Sequence, residues 1–278
     1  SADGATSSGC SHRDAPAGFV AAEAAPETIR CLMGSAFLLV PPSPSSSSSA
    51  CAFYAPLVED HSSWLWLVRG ILPSGPERFE ALWARHPEEL GVAKLFGREV
   101  SFKRYQMAFG ADYAFSGHVA HAAPLTEASA PEVFLVKERL QEWLSTSGQG
   151  LRNLRYEACL ANWYDGGSHA IGAHSDTERG LVRGAPIFAL TWGCTRRFRV
   201  TPRKPGVPGH AKVEVDLEDG DLVVMGGACQ RTHKHEIPKS AKVTGRRISL
   251  TFRCFASQQD PNAFLDMAPA ERTRAQAQ

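Results

Sequence analysis

The residues of this chain best suited to chemistry gather in its second half. His174 and Asp176 stand two apart in NWYDGGSHAIGAHSDTERG, and a later segment, CQRTHKHEIPK, offers His233 and His235. Two imidazoles and one carboxylate suit one face of an octahedral Fe(II), leaving three positions open for a co-substrate and O2. In an extended chain residues i and i+2 point to the same side, so His174 and Asp176 can converge on one ion while Ser175 faces away. Gly166, Gly167 and Gly172 supply backbone freedom where the chain bends close to a ligand. Taken alone, the pair is also accounted for by a surface loop that happens to contain His and Asp. Spacing does not choose between His233 and His235, which share a face of any extended segment.

A second group lies in RRISLTFR. In strand register Arg247, Ser249, Thr251 and Arg253 line one face, and Ile248, Leu250, Phe252 and Cys254 the other. Two arginines on one face of a buried strand are costly unless they meet anions. A small dicarboxylate fits, because the guanidinium fork pairs with a carboxylate through two parallel bonds. An edge strand with solvated arginines is the plainer alternative. In LANWY, Leu160, Asn162 and Tyr164 share a face, and the last two could reach the same dicarboxylate from an opposite wall.

The elements that must position these groups read as α+β. SGPERFEALWARH and SAPEVFLVKERLQEWL carry apolar residues at helical spacing, with Ser74–Glu77 and Ser129–Glu132 in capping-box positions. From Leu154 onward short strands follow one another, bounded by Gly, Pro and Asp and with no helical stretch between them. Helices followed by strands suggest an antiparallel sandwich or jelly roll in the second half. Residues 1–50 are rich in Ala, Ser, Gly and Pro and read as a low-complexity, disordered extension. Residues 51–257 read as the domain and 258–278 as a flexible tail.

Together these motifs resemble the AlkB-type Fe(II)/2-oxoglutarate dioxygenases, oxidative demethylases of alkylated nucleic acids. The resemblance rests on N-x-Y-x-x-G (Asn162, Tyr164, Gly167), H-x-D-x-E (His174, Asp176, Glu178), a late His before hydrophobic-Pro (His235, Ile237, Pro238) and R-x5-R (Arg247, Arg253). PIFALTWGCTRRFRV matches a further strand, and roughly Phe53 to Phe255 can be followed. The resemblance implies a double-stranded β-helix (jelly roll) core with N-terminal helices and a nucleotide-recognition lid. It implies Fe(II) held by His174, Asp176 and His235, with His233 at a variable position, and 2-oxoglutarate and O2 as co-substrates. Arg247, helped by Tyr164, would take the distal carboxylate of 2-oxoglutarate; Arg253 and Asn162 would serve the end chelated to iron. Ser249 stands where the family often has Asn.

On the substrate side, FKRYQMAFGADYAFSG resembles the family's lid. Chemistry on a base requires the base to leave its stack and lie between flat side chains. Phe115 would stack on it opposite His174, with Tyr113, Gln106 and Arg104 shaping the pocket and Glu178 meeting an exocyclic amine. The resemblance implies removal of N-methyl groups, as from 1-methyladenine or 3-methylcytosine, with release of formaldehyde and succinate. Alkylated DNA, ahead of RNA, is the expected partner of a monomer.

Composition is that of a soluble globular protein: 278 residues, 43% hydrophobic and 21% charged, net charge +1. No apolar run approaches the ~20 residues of a membrane-spanning helix. Seven scattered cysteines suggest reduced thiols and a nuclear or cytoplasmic setting. From Gly193 to Arg247 twelve Lys and Arg stand against six Asp and Glu. Arg196, Arg197, Arg199, Arg203, Lys204, Lys234, Lys239 and Lys242 are the candidates for phosphate contacts, a solvated charged face being the alternative.

Overall fold

The structure is a computed structural model and describes residues 15–33, 51–95, 98–115, 118–176 and 179–260. The first part of the chain forms β1 (Val20–Ala21), α1 (Glu27–Met33), β2 (Ala52–Pro56), β3 (Ser63–Val68), α2 (Pro76–Trp83), β4 (Val92–Leu95), β5 (Arg98–Ser101), β6 (Tyr105–Phe109), β7 (Tyr113–Phe115), β8 (His118–Ala120), α3 (Pro131–Ser145) and α4 (Gln149–Arg152). The second part forms β9 (Ala158–Asp165), β10 (Ile171–His174), β11 (Ile187–Gly193), β12 (Arg196–Pro202), β13 (Val213–Leu217), β14 (Leu222–Gly227), α5 (Cys229–Thr232), β15 (His233–Ile237) and β16 (Arg246–Arg253).

Strands β9 to β16 cross back and forth between two sheets. The larger contains the order β14-β11-β16-β9, and the smaller runs β10-β15-β12-β13, with every pairing antiparallel. That order is the jelly roll. The larger sheet is extended by β3, β2 and β1 beyond β14 and by β6 beyond β9. The hairpins β4–β5 and β7–β8 stand apart from both sheets.

Period-2 alternation splits the larger sheet between two cores. Trp66, Trp163, Trp192, Ile248, Leu250 and Phe252 pack with Phe79, Leu82, Val133 and Leu140 of the helices. Leu65, Leu67 and Val223 pack with Phe198, Val200, Val213 and Val215 of the smaller sheet. The indole N–H groups of Trp163 and Trp192 donate to Leu82 O and Leu72 O, at 3.1 and 2.8 Å, tying the α2 region to the sheet. Among the described residues no helix is long and apolar enough to cross a membrane.

Several expectations are corrected. Strands precede the helices as well as follow them: β3 is buried along its whole length, so SWLWLV reads as an unbroken apolar run with no alternation to betray a strand. Neither capping box forms. Both helices start one residue later than that pattern needs, with Pro at the first turn after Gly75 and Ala130. Ser74 instead gives its N–H and hydroxyl to Asp219, and Ser129 donates to Pro124 O. A short helix, α5, interrupts the strands.

Part of the supposed N-terminal extension is folded. β1 pairs with β2, and Ile29 and Met33 of α1 enter the helix-side core. Residues 1–14 and 34–50 lie outside the described residues, as do 261–278. Gln259, beyond the expected domain end, is tied to both the N–H and the carbonyl of Arg155. Cys31, Cys159, Cys194, Cys229 and Cys254 are free thiols, whereas Cys51 is disulfide-bonded and departs from the all-thiol expectation.

Candidate active site

One cavity opens between the two sheets. Among its lining residues are Arg104 beside β6, Tyr113 on β7, Asn162 and Tyr164 on β9, His174 and Asp176, His235 on β15, and Arg247, Ser249 and Arg253 on β16. Period 2 aims Asn162 and Tyr164 into it while Trp163, between them, turns to the helices.

His174, Asp176 and His235 offer ligand atoms that all lie within 4.8 Å of one another. His174 and His235 are cross-strand partners on β10 and β15, with ring centroids 4.3 Å apart. Asp176 Oδ1 stands 3.6 Å from His174 Nε2 and 4.0 Å from His235 Nε2. His174 Nδ1–H donates to Gly172 O at 2.9 Å, which leaves the Nε2 lone pair for a metal. Burial pushes the His235 imidazole down to about 3, with the neighbouring His174 adding to the effect, so the ring is neutral and fit to ligate. Burial pushes the Asp176 carboxyl upward, but Arg253 and the two imidazoles outweigh it, and the group lies below the usual carboxylate range. Asp176 is therefore ionised, with its Oδ2 3.0 Å from Arg253 Nη2.

One detail differs from the i, i+2 expectation. β10 ends at His174, so Asp176 lies past the strand and is aimed by other contacts. His233, on the same side of β15, is two residues or roughly 7 Å further along. Both its nitrogens are engaged: Nε2–H donates to Ala211 O at 3.1 Å, and Nδ1 lies 2.8 Å from the Thr232 hydroxyl oxygen. The glycines divide as well. Gly166 has φ +72°, and a Cβ on Gly167 would fall 1.7 Å from Ser240 O, but nothing lies near Gly172.

The far wall suits an anion. Arg247 is 2% exposed. Its Nη2 donates to Thr191 Oγ1 at 2.9 Å, while its Nε and Nη1 meet no acceptor at hydrogen-bonding geometry among the described residues. Buried donors in that state lack an acceptor that a ligand carboxylate would supply. Between the two arginines stand small residues, Ser249 and Thr251, and across from them on β11 stand Thr191 and Ala189. The floor is thus low in the middle and flanked by guanidiniums. Those donors suit a dicarboxylate such as 2-oxoglutarate, and the His-Asp-His set in the same cavity suits Fe(II). Thr191 and Ala189 were not singled out in sequence; only the register of β11 on β16 reveals them.

The expected substrate-side residues fare differently. Arg104 is buried, lines the cavity and donates from its Nε to Asn162 Oδ1 at 2.6 Å, orienting a cavity-wall side chain. Tyr113 lies over Arg253, 5.1 Å from ring centre to guanidinium carbon. Gln106 is buried on the Arg104 side of β6, and neither carboxamide atom has a partner among the described residues. Phe115 ends β7, and its backbone alone is described; Glu178 lies outside the described residues.

Much of the basic stretch is not free for phosphates. Arg197 and Arg199 form a ladder with Asp216, Glu214 and Glu236 at 2.6 to 3.2 Å, joined by Lys212. Arg196 is 1% exposed and donates to the carbonyls of Gly166, His169 and Pro238. It clamps the β9–β10 turn to the end of β15. Arg196→Met is expected to cost about 2–4 kcal/mol in urea unfolding, since buried carbonyls lose a charged donor. Unchanged stability with weaker, salt-sensitive nucleic-acid binding would restore the phosphate role.

Residues 79–253 match the family described as the 2OG-Fe(II) oxygenase superfamily. Human DNA oxidative demethylase ALKBH2 is 31% identical over 171 residues, covering 59% of this chain and 61% of the relative. The rat alpha-ketoglutarate-dependent dioxygenase alkB homolog 3 is 30% identical over 128 residues, covering 44% and 41%. An Arabidopsis thaliana DNA oxidative demethylase ALKBH2 is 32% identical over 133 residues, covering 41% and 42%. The chain thus spans less than two thirds of the length of these relatives. The solved structure of OsALKBH1 superposes with a TM-score of 0.43 at 20% identity, covering 68% of this chain and 96% of that one.

Proposed function

The chain belongs to the 2OG-Fe(II) oxygenase superfamily, on its AlkB-type branch, and on that premise we propose that it oxidatively demethylates N-alkylated bases of the 1-methyladenine and 3-methylcytosine type in DNA. The observation that carries this reading is the juxtaposition of His174, Asp176 and His235 with a buried guanidinium, Arg247, whose Nε and Nη1 meet no acceptor among the described residues.

Fe(II) with 2-oxoglutarate and O2, when bound, supplies hydroxylation of an N-methyl carbon, yielding succinate and CO2; the hydroxymethyl product then releases formaldehyde and the bare base. The chain's own contribution is positional. His174, Asp176 and His235 would hold one face of the metal and keep the other open. Arg247 would take the distal carboxylate of the co-substrate, with the Tyr164 ring 5.1 Å from its guanidinium carbon. Arg253 keeps Asp176 ionised, and Asn162, held by Arg104, would present its carboxamide N–H to the chelating end. The β7–β8 hairpin carries Tyr113 and Phe115, two of the residues assigned to hold a flipped base. Of the lysine candidates for phosphate contacts, Lys204, Lys234, Lys239 and Lys242 take part in no ion pair among the described residues and would be free to meet phosphates.

The test incubates the protein with Fe(II), 2-oxoglutarate and oligonucleotides bearing 1-methyladenine or 3-methylcytosine, following formaldehyde and succinate. Single-stranded DNA, duplex DNA and RNA compete in parallel. Demethylation of DNA in preference to RNA is the expected outcome. Preference for RNA would transfer the proposal to methylated RNA, and no substrate-stimulated succinate on any nucleic acid would sink it.

A further inference from the structure

We propose that Gln230 is a positioning residue for the metal centre, setting where the Asp176 carboxylate stands relative to the two imidazoles. The proposal rests on the reading of His174, Asp176 and His235 as metal ligands.

The two histidines need no outside help to meet, because His174 and His235 face each other across the β10–β15 ladder. Asp176 has no such support. It lies two residues past the end of β10, is 3% exposed, and its buried N–H has no strand partner. That N–H donates to Gln230 Oε1 at 2.9 Å. Gln230 sits on α5, the single turn that leads directly into β15 and His235. The carboxamide is kept the right way round from its other side: Nε2–H points at the Met225 sulfur, 3.4 Å away on β14. Thioether sulfur accepts hydrogen bonds weakly and cannot donate, so the oxygen is left facing Asp176.

The neighbouring residue is stitched to the same turn. Ser175 Oγ donates to His233 O at 2.7 Å, Arg203 Nη1 donates to Ser175 Oγ at 3.0 Å, and the Arg203 N–H donates to Thr232 O at 2.8 Å. Side chains on and beside α5 thereby replace the missing ladder. Arg253 holds the far end of the Asp176 side chain, while Gln230 holds its backbone. Partners behind metal ligands commonly govern affinity by about 10–100-fold.

The test titrates the purified metal-free full chain with Co(II) alone, followed by its visible absorption. Gln230→Met keeps the length and the apolar contact but removes the acceptor. It is expected to weaken Co(II) binding by about 10–100-fold while leaving the thermal midpoint of the metal-free protein within a few degrees of the parent. Gln230→Glu keeps an acceptor for the Asp176 N–H and is expected to hold Co(II) within about threefold of the parent, the difference expected from a bond retained. Parental affinity in Gln230→Met overturns the proposal, as does equal loss in both variants. A parent protein that fails to bind Co(II) would instead overturn the metal reading itself.

Discussion

Asp176→Ala is expected to abolish succinate release and demethylation together, and to abolish Co(II) binding at concentrations that saturate the parent. The carboxylate is the one anionic donor of the three, and no other carboxylate stands within reach of both imidazoles among the described residues. The change should also lower the stability of the metal-free protein. Arg253, with 5% of its side chain exposed, would lose the carboxylate that its Nη2 meets at 3.0 Å. Breaking one side of such a pair costs about 3–5 kcal/mol. Asp176→Asn separates the two effects, since its carboxamide oxygen can still accept from Arg253 while ligating a metal poorly. A variant at this position that turned over at even a tenth of the parental rate would remove Asp176 from the ligand set.

Arg247→Met should act in opposite directions on two measurements. Affinity for 2-oxoglutarate, read as KM in the succinate assay, is expected to weaken by about two orders of magnitude. Two charge-assisted hydrogen bonds of about 1.5 kcal/mol or more each would be lost. Stability of the metal-free, co-substrate-free protein is expected to rise, because a buried guanidinium with two idle nitrogens gives way to a side chain of similar length with no polar donors. Arg247→Lys, a point charge without the fork, should fall between. A KM within threefold of the parent would rule out Arg247 as the carboxylate anchor. A fall in stability would mean that its bond to Thr191 contributes more than burial of the charge costs.

Those two residues differ in how far sequence alone could take them. The face shared by Arg247, Ser249, Thr251 and Arg253 was legible because a strand of period 2 sorts eight residues without ambiguity, and Ile248, Leu250 and Phe252 mark the opposite face. The residues that complete the co-substrate floor were not legible. Thr191 and Ala189 come from β11, some sixty residues away, and are brought opposite Ser249 and Thr251 only by the ladder. β3 escaped notice for a related reason, since a strand covered on both faces shows no alternation. Arg196 and Arg199 look alike in RRFRV, yet one is sealed beneath three carbonyls and the other lies in a surface ion-pair ladder.

By itself the amino-acid order determined the kind of site: two imidazoles, a carboxylate and two guanidiniums, on segments whose short apolar alternation can only form strands. Residue type and local periodicity are properties of the chain, so they survive without a fold. How His235 comes to face His174, what aims a carboxylate that lies past its strand, and which nitrogens of Arg247 meet no acceptor among the described residues were decided by tertiary structure. His233 and His235 have the same parity, so spacing does not separate them; the resemblance points to His235, and the pairing of β15 with β10 places it opposite His174. Asp176 is aimed by Gln230 and Arg253, fifty-four and seventy-seven residues further along. Such distances are closed by packing two sheets around a cavity, and no window of sequence contains them.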